Sequence, residues 1–241
     1  MRLGEAYWSF NLYPDAGEGG GCLVRPIKPL PTGGPPNRER ARQEAARRAR
    51  GKLRRYCAAN RLNRLATLTY AGEGCFDPQQ LRGDVAEFFR GLRSELGGER
   101  FAYAWTSEWH PGGHGLHVHF AVGRYVRERL IRQVWGRGIT HIKRIQDLPV
   151  GSGAVEEARR AAGYLAKYVS KSLDEDPTPG LHRYEVAQGF QPRLIPFEGE
   201  SEAAVIAAAA EQMGSEPIHV WRSSTVEGWR APPAYWCAWA G

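Results

Sequence analysis

Two alternating segments joined by a glycine-rich loop constrain this chain more than any other feature. Residues 101–109 (FAYAWTSEW) and 116–123 (LHVHFAVG) flank the loop HPGGHG. Apolar residues that alternate with other residues are typical of half-buried strands, and a short glycine-rich connection is typical of a hairpin. The sequence therefore predicts an antiparallel hairpin with one face in a core and the other face turned outward.

The segments around this hairpin predict further strands and helices. In order, we expect a strand at 65–70, a helix from Asp77-Pro78 to about 96, the two hairpin strands, a helix at 126–135, a strand at 139–145 and a helix at 156–173. This β-α-β-β-α-β order with one added helix predicts an α+β fold of the ferredoxin-like or RRM-like class. Such a fold is one antiparallel sheet with helices on one face, so the opposite face is expected to be free for a site.

Composition divides the chain into three parts. Residues 1–60 are an extension rich in proline, glycine and arginine, in which residues 14–37 are expected to be loop or linker. Residues 61–175 hold the regular pattern, and residues 176–241 form a C-terminal extension with tryptophans at 221, 229, 236 and 239. Packing of these rings against the domain is favoured, with stacking on unpaired bases as the alternative.

The balance of charge indicates a polyanionic partner. The net charge is +7, which favours nucleic acid as that partner. A basic helix is predicted at 38–56, and it is either a solvated surface helix or a phosphate-binding one through Arg47, Arg48, Arg54 and Arg55. The sequence has neither a long apolar span nor the apolar block of a signal peptide, so we expect a cytoplasmic protein without a membrane partner.

The outward face of the hairpin carries candidate metal ligands. His117 and His119 share that face, and folding the hairpin back brings Glu108 opposite His117. Two imidazoles and a carboxylate suit a divalent cation that keeps coordination positions open. The alternative is a pair of histidines on a solvent-facing strand, which Glu108 on the same face makes less favoured. His110 and His114 are assigned to the loop, and Thr67 and Thr69 to the site face of the first strand.

The last predicted helix carries two tyrosines and two lysines at helical spacing. Tyr164 and Tyr168 stand four residues apart, and Lys167 and Lys171 repeat that spacing. Tyrosine is a covalent nucleophile in some enzymes, and a neighbouring cation eases loss of its proton. The alternative is a plain amphipathic helix with half-buried tyrosines and solvated lysines.

Together these motifs resemble the HUH endonucleases, and within them the rolling-circle replication initiators of plasmids and phages. LATLTY at 65–70 is similar to the first-strand motif, HVH at 117–119 to the His-hydrophobic-His motif, and YLAKYVSK at 164–171 to the two-tyrosine helix. The resemblance covers about residues 61–173.

The resemblance implies a nickase that acts on single-stranded or hairpin origin DNA. A tyrosine attacks one phosphodiester, which leaves a 5′-phosphotyrosine and a free 3′-hydroxyl that primes synthesis by a host polymerase. It implies His117 and His119 as ligands of Mg²⁺ or Mn²⁺, with Glu108 as a third ligand. It also implies Tyr168 as first nucleophile, Tyr164 for a second transfer, and Lys167 and Lys171 for electrostatic support. The sequence contains no G-x-x-x-x-G-K-[ST] motif, so a host helicase is the expected partner.

Two other functions stay open at this point. A transposase of the two-tyrosine type would use the same chemistry to cut and join element ends. A non-catalytic RRM-like module would bind single-stranded nucleic acid through exposed aromatic rings. Histidines and a glutamate stand where such a module would need those rings.

Overall fold

The computed structural model describes residues 5–25, 38–143, 153–174 and 184–240, without the side chains of residues 38–40, 42, 143 and 168–174. The chain forms two compact units, one of residues 38–191 and one in which residues 1–37 join residues 192–241. In chain order the elements are β1 (Tyr7–Tyr13), β2 (Glu18–Val24), α1 (Arg38–Ala59), β3 (Arg64–Tyr70), α2 (Pro78–Glu95), β4 (Tyr103–Trp109), β5 (Leu116–Val122), α3 (Glu128–Trp135), β6 (Gly138–Lys143), α4 (Ala154–Asp174), β7 (Glu185–Val186), β8 (Ile195–Gly199), α5 (Glu202–Met213), β9 (His219–Arg222) and β10 (Ala234–Ala238).

The unit of residues 38–191 is built on a five-stranded sheet in the order β6-β3-β5-β4-β7. Every pair of neighbouring strands is antiparallel. The first four strands, with α2 and α3 as connections, follow the β-α-β-β-α-β order, and β7 adds one short strand at the edge. The predicted α+β class with an RRM-like antiparallel sheet is confirmed.

Helices α2 and α3 cover one face of this sheet. Asp77 caps α2 as predicted, because its side chain accepts a hydrogen bond from the backbone N–H of Gln79. The helices bury an apolar stripe against the strand residues Leu68, Val118 and Phe120. Trp135 is fully buried and its indole N–H donates to the backbone oxygen of Thr69 at 3.1 Å. This bond ties α3 to the end of β3.

The opposite face is covered at one end, where the sequence predicted a free face. Helices α1 and α4 pack together over the small residues Ala104 and Ala121 and over Leu65. Small side chains on the strands let the helix backbones approach the sheet closely. Arginines alternate with this buried stripe of α1, which explains why the helix appears basic all round in the sequence.

The second unit contains a strand that the sequence analysis assigned to a linker. Residues 18–24 form β2, which pairs with β1 on one side and β10 on the other in a sheet of order β8-β1-β2-β10-β9. The glycines of β2 make room for neighbouring rings, since a Cβ at Gly19 would lie 2.4 Å from the ring of Phe10. The prediction of loop for 14–37 is therefore wrong for β2, and residues 26–37 lie outside the described part of the chain.

The C-terminal tryptophans belong to this second unit. Trp239 is buried and its indole N–H donates to the backbone oxygen of Ser215 at 2.8 Å. Trp221 and Trp229 are half-buried, with ring centroids 5.8 Å apart. Packing, the favoured expectation, therefore holds for the ring of Trp239.

The two units divide the chain at other positions than composition does. Strand pairing joins β1 and β2 to β8 and β10, which are far away in sequence. Helix α1 belongs with the unit that contains β3 to β7. Within the described residues, no helix combines the length and apolarity needed to cross a membrane.

The core beneath the site face gives a first test. Phe88 is 1% exposed and contacts the rings of Phe89, Phe120 and Trp135. We expect Phe88→Ala to lower the free energy of unfolding by about 3–5 kcal/mol in urea denaturation, because it removes buried surface and leaves a cavity. Tyr125→Ala is the control, since Tyr125 is 71% exposed, and a change within about 0.5 kcal/mol is expected. Equal effects of the two substitutions would contradict this packing.

Candidate metal centre

The register of the β4–β5 hairpin places three candidate ligands together. Glu108 pairs with His117 across the strands, as the sequence predicted, and His119 follows on the same face of β5. The loop can turn this tightly because Gly115 has φ +74, and a Cβ there would lie 2.3 Å from the backbone of Cys75. Glycine at this position thus fixes the register on which the cluster depends.

The three side chains converge on one point. A carboxylate oxygen of Glu108 lies 3.1 Å from Nε2 of His117 and 3.3 Å from Nε2 of His119. The two Nε2 atoms are 3.1 Å apart, and the histidines are only 8% and 5% exposed. Ligands that bind a cation at about 2.1 Å in octahedral geometry lie about 3 Å from one another. The donor set and its spacing therefore fit a divalent metal ion.

His119 is oriented from behind by Thr67. The hydroxyl oxygen of Thr67 lies 2.9 Å from Nδ1 of His119. With the imidazole proton on Nδ1 and donated to this hydroxyl, the lone pair of Nε2 is directed at the cluster. Register places Thr67 opposite His119 on the site face, as predicted, whereas the hydrogen bond itself was not predicted.

A third histidine lies beside the cluster. The ring of His110 is 5.3 Å from that of His117, and its Nδ1 accepts a hydrogen bond from the backbone N–H of Gly112 at 3.0 Å. The sequence analysis assigned His110 to the loop. Its position two residues after Glu108 is the signal for the same face. His114 is exposed, and its ring lies 6.2 Å from that of His110.

Helix α4 brings a tyrosine to the cluster. The Tyr164 ring lies 6.3 Å from the ring of His119, with the two planes nearly perpendicular. Buried Ala161 and Leu165 hold this part of α4 against the sheet, and Lys167 is exposed. Tyr168 and Lys171 follow in the same helix, and their side chains lie outside the described part of the chain.

Burial disfavours several other tyrosines as nucleophiles. A phenol that is desolvated by its surroundings has a raised pKa and releases its proton reluctantly. Burial is the first cause of a raised pKa at Tyr56, Tyr70, Tyr103, Tyr184 and Tyr235. Tyr70 also donates a hydrogen bond to Asp84 at 2.8 Å.

The predicted phosphate-binding arginines lie on α1. Arg47 and Arg48 are exposed, and Arg48 is 4.0 Å from Glu44 in an ion pair one turn away. Arg54 and Arg55 are half-buried. Contact of these four arginines with phosphate remains a prediction.

The fold and the site define an RRM-like sheet with a candidate metal centre on one face. The model of a family described as Replication-associated protein, of the ORF2 type, matches residues 63–173. This stretch holds the metal-binding cluster and all of α4 except its last residue. The match supports a protein that acts in DNA replication. Neither the search of curated proteins nor the search of solved structures gave a match.

The orienting hydrogen bond to His119 gives a second test. Thr67→Val keeps the shape of the side chain and removes the hydroxyl, so we expect Mn²⁺ affinity to fall by about 10–100-fold in calorimetric titration. Thr69→Val is the matched control, because Thr69 is on the same strand and face and pairs with His117 instead. Unchanged affinity in Thr67→Val, or an equal loss in both variants, would contradict the orienting role.

Proposed function

We propose that this protein is a replication initiator that nicks and rejoins single-stranded origin DNA through a tyrosine on α4. The observation that carries the proposal is the position of the Tyr164 ring, 6.3 Å from the ring of His119 in a cluster suited to a metal ion. A nucleophile-bearing helix beside a Lewis-acid site is the arrangement that phosphodiester transfer needs. The family match over residues 63–173 supports the replication role.

Glu108, His117 and His119 are the residues that would hold the metal. A bound Mg²⁺ or Mn²⁺ would supply Lewis acidity to the scissile phosphate and help to align it. Thr67 keeps the imidazole of His119 in its ligating orientation. The low exposure of both histidines excludes most of the surrounding water, which strengthens electrostatic interactions there.

The tyrosine performs the bond exchange. Its hydroxyl oxygen attacks the phosphorus and gives up its proton, and the bond from phosphorus to the 3′-oxygen breaks. The products are a 5′-phosphotyrosine and a 3′-hydroxyl, which receives a proton from the surroundings. One phosphodiester replaces another, so the reverse reaction rejoins the ends without a separate energy source.

The residues of α4 have distinct roles in the proposal. Tyr168 is the first nucleophile, and Tyr164, one turn earlier, performs the second transfer that ends a round of replication. Lys167 and Lys171 follow the tyrosines at the same spacing and stabilise the phenolate and the phosphate charge. The free 3′-hydroxyl primes rolling-circle synthesis by a host polymerase, with a host helicase to unwind the template.

Binding of the DNA uses the positive charge of the protein. Exposed Arg47 and Arg48, with Arg54 and Arg55 on the same helix, supply salt-dependent contacts to the backbone of single-stranded or hairpin origin DNA. Such contacts raise affinity without selecting a sequence. Recognition of the origin therefore needs contacts to bases elsewhere on the protein.

Covalent capture of DNA tests the proposal. The protein is incubated with single-stranded oligonucleotides that span a candidate origin, with Mn²⁺ or with EDTA, and adducts are resolved on a denaturing gel. We expect an adduct with Mn²⁺ alone, a reduction of at least about 100-fold in Tyr168→Phe, and complete loss in the Tyr164→Phe/Tyr168→Phe double variant.

Tyr125→Phe is the matched control, because this exposed tyrosine lies outside α4 and should leave adduct formation unchanged. No adduct on an oligonucleotide that the protein demonstrably binds would contradict the nickase and favour a non-catalytic binding module. An adduct that survives the double variant would exclude both tyrosines as nucleophiles.

A further inference from the structure

The face that carries the metal-binding cluster continues across β3 to the edge strand β6. Thr67 pairs with His141 and Thr69 pairs with Ile139. Residues directly opposite one another in a sheet share a face, so Ile139 and His141 lie on the same face as His117 and His119. A row of side chains therefore runs from Glu108 to the edge of the sheet.

The two ends of this face differ in how they are covered. At one end α1 and α4 bury Leu65, Ala104 and Ala121. Toward β6, Thr67 and Thr69 are half-buried, His141 is exposed and Ile139 is 69% exposed. The residues Thr69, Ile139 and His141 form an uncovered surface beside the cluster, which we call the β6 strip.

The alternation in β6 makes the position of Ile139 informative. Thr140 is buried and Ile142 packs against the core on the α2 and α3 side. Ile139 faces the other way, so burial in the core does not explain an apolar side chain there. An exposed isoleucine next to a hydroxyl and an imidazole combines an apolar surface with hydrogen-bonding groups, which together suit a nucleotide.

We propose that the β6 strip binds the nucleotide that adjoins the cut phosphate. Ile139 packs against the base, and His141 donates a hydrogen bond to a phosphate oxygen. Two strand spacings separate β5 from β6, about 10 Å, which is within reach of a nucleotide attached to a phosphate at the cluster. The proposal rests on the proposed function, and it assigns part of the substrate contact to residues outside the metal centre and outside α4.

The test measures binding while the chemistry is silent. Fluorescence anisotropy gives the Kd for a labelled mixed-sequence single-stranded oligonucleotide in EDTA. We expect the Ile139→Ala/His141→Gln double variant to raise Kd by about ten-fold, as loss of a base contact and a phosphate hydrogen bond requires.

Ile218→Ala/His219→Gln is the matched control. It removes an isoleucine of equal exposure, 69%, and an exposed histidine from the other unit, so Kd should stay within about two-fold of wild type. A double variant at Ile139 and His141 that binds as wild type does would overturn the proposal, and so would an equal loss in the control.

A second measurement needs no change at the strip in the protein that binds DNA. The methyl resonance of Ile139, assigned from its absence in Ile139→Val, should shift when the oligonucleotide is added to wild-type protein. An unmoved resonance at saturating DNA would overturn the contact with the base.

Failure of this proposal and failure of the nickase are distinguishable. A wild-type protein that forms the Mn²⁺-dependent adduct, with Kd unaffected at the strip, would exclude the strip alone. A protein that forms no adduct but loses affinity at the strip would exclude the nickase and keep the strip as a binding site.

Discussion

The pairing of Glu108 with His117 is the constraint on which the account depends. A shift of one residue in the β4–β5 register would turn the histidines of β5 and the carboxylate of β4 to opposite faces. The loop glycine Gly115, which passes too close to Cys75 to carry a side chain, helps to prevent that shift. Backbone sterics in a loop therefore determine whether three donor atoms meet in one place.

The site face is divided between packing and chemistry. Small residues at one end allow α1 and α4 to approach the sheet, and Tyr164 stands where that packing meets the metal-binding cluster. The same helix that closes the hydrophobic core thus brings a phenol to the cluster. Loss of packing along α4 would displace the tyrosines even with every ligand unchanged, which couples the stability of this core to the chemistry that we propose.

Local patterns predicted what depends on local patterns. Alternation identified β4 and β5, and the Asp77-Pro78 pair identified the start of α2, because both signals lie within the elements themselves. The hydrogen bond between Thr67 and His119 depends on pairing between β3 and β5, which are distant in sequence, and it was not predicted. Strand β2 was missed because its glycines carry no alternation, and its partner β10 lies near the other end of the chain.

The most direct test of the central claim is to locate the DNA on the protein. Trypsin cleaves after Arg160, Lys167 and Lys171, so Tyr164 and Tyr168 fall in separate peptides, AAGYLAK and YVSK. Mass spectrometry of the digested covalent adduct should find a nucleotide linked through phosphate to YVSK. A nucleotide on AAGYLAK would reverse the order of the two tyrosines, and one on a peptide outside α4 would contradict the account.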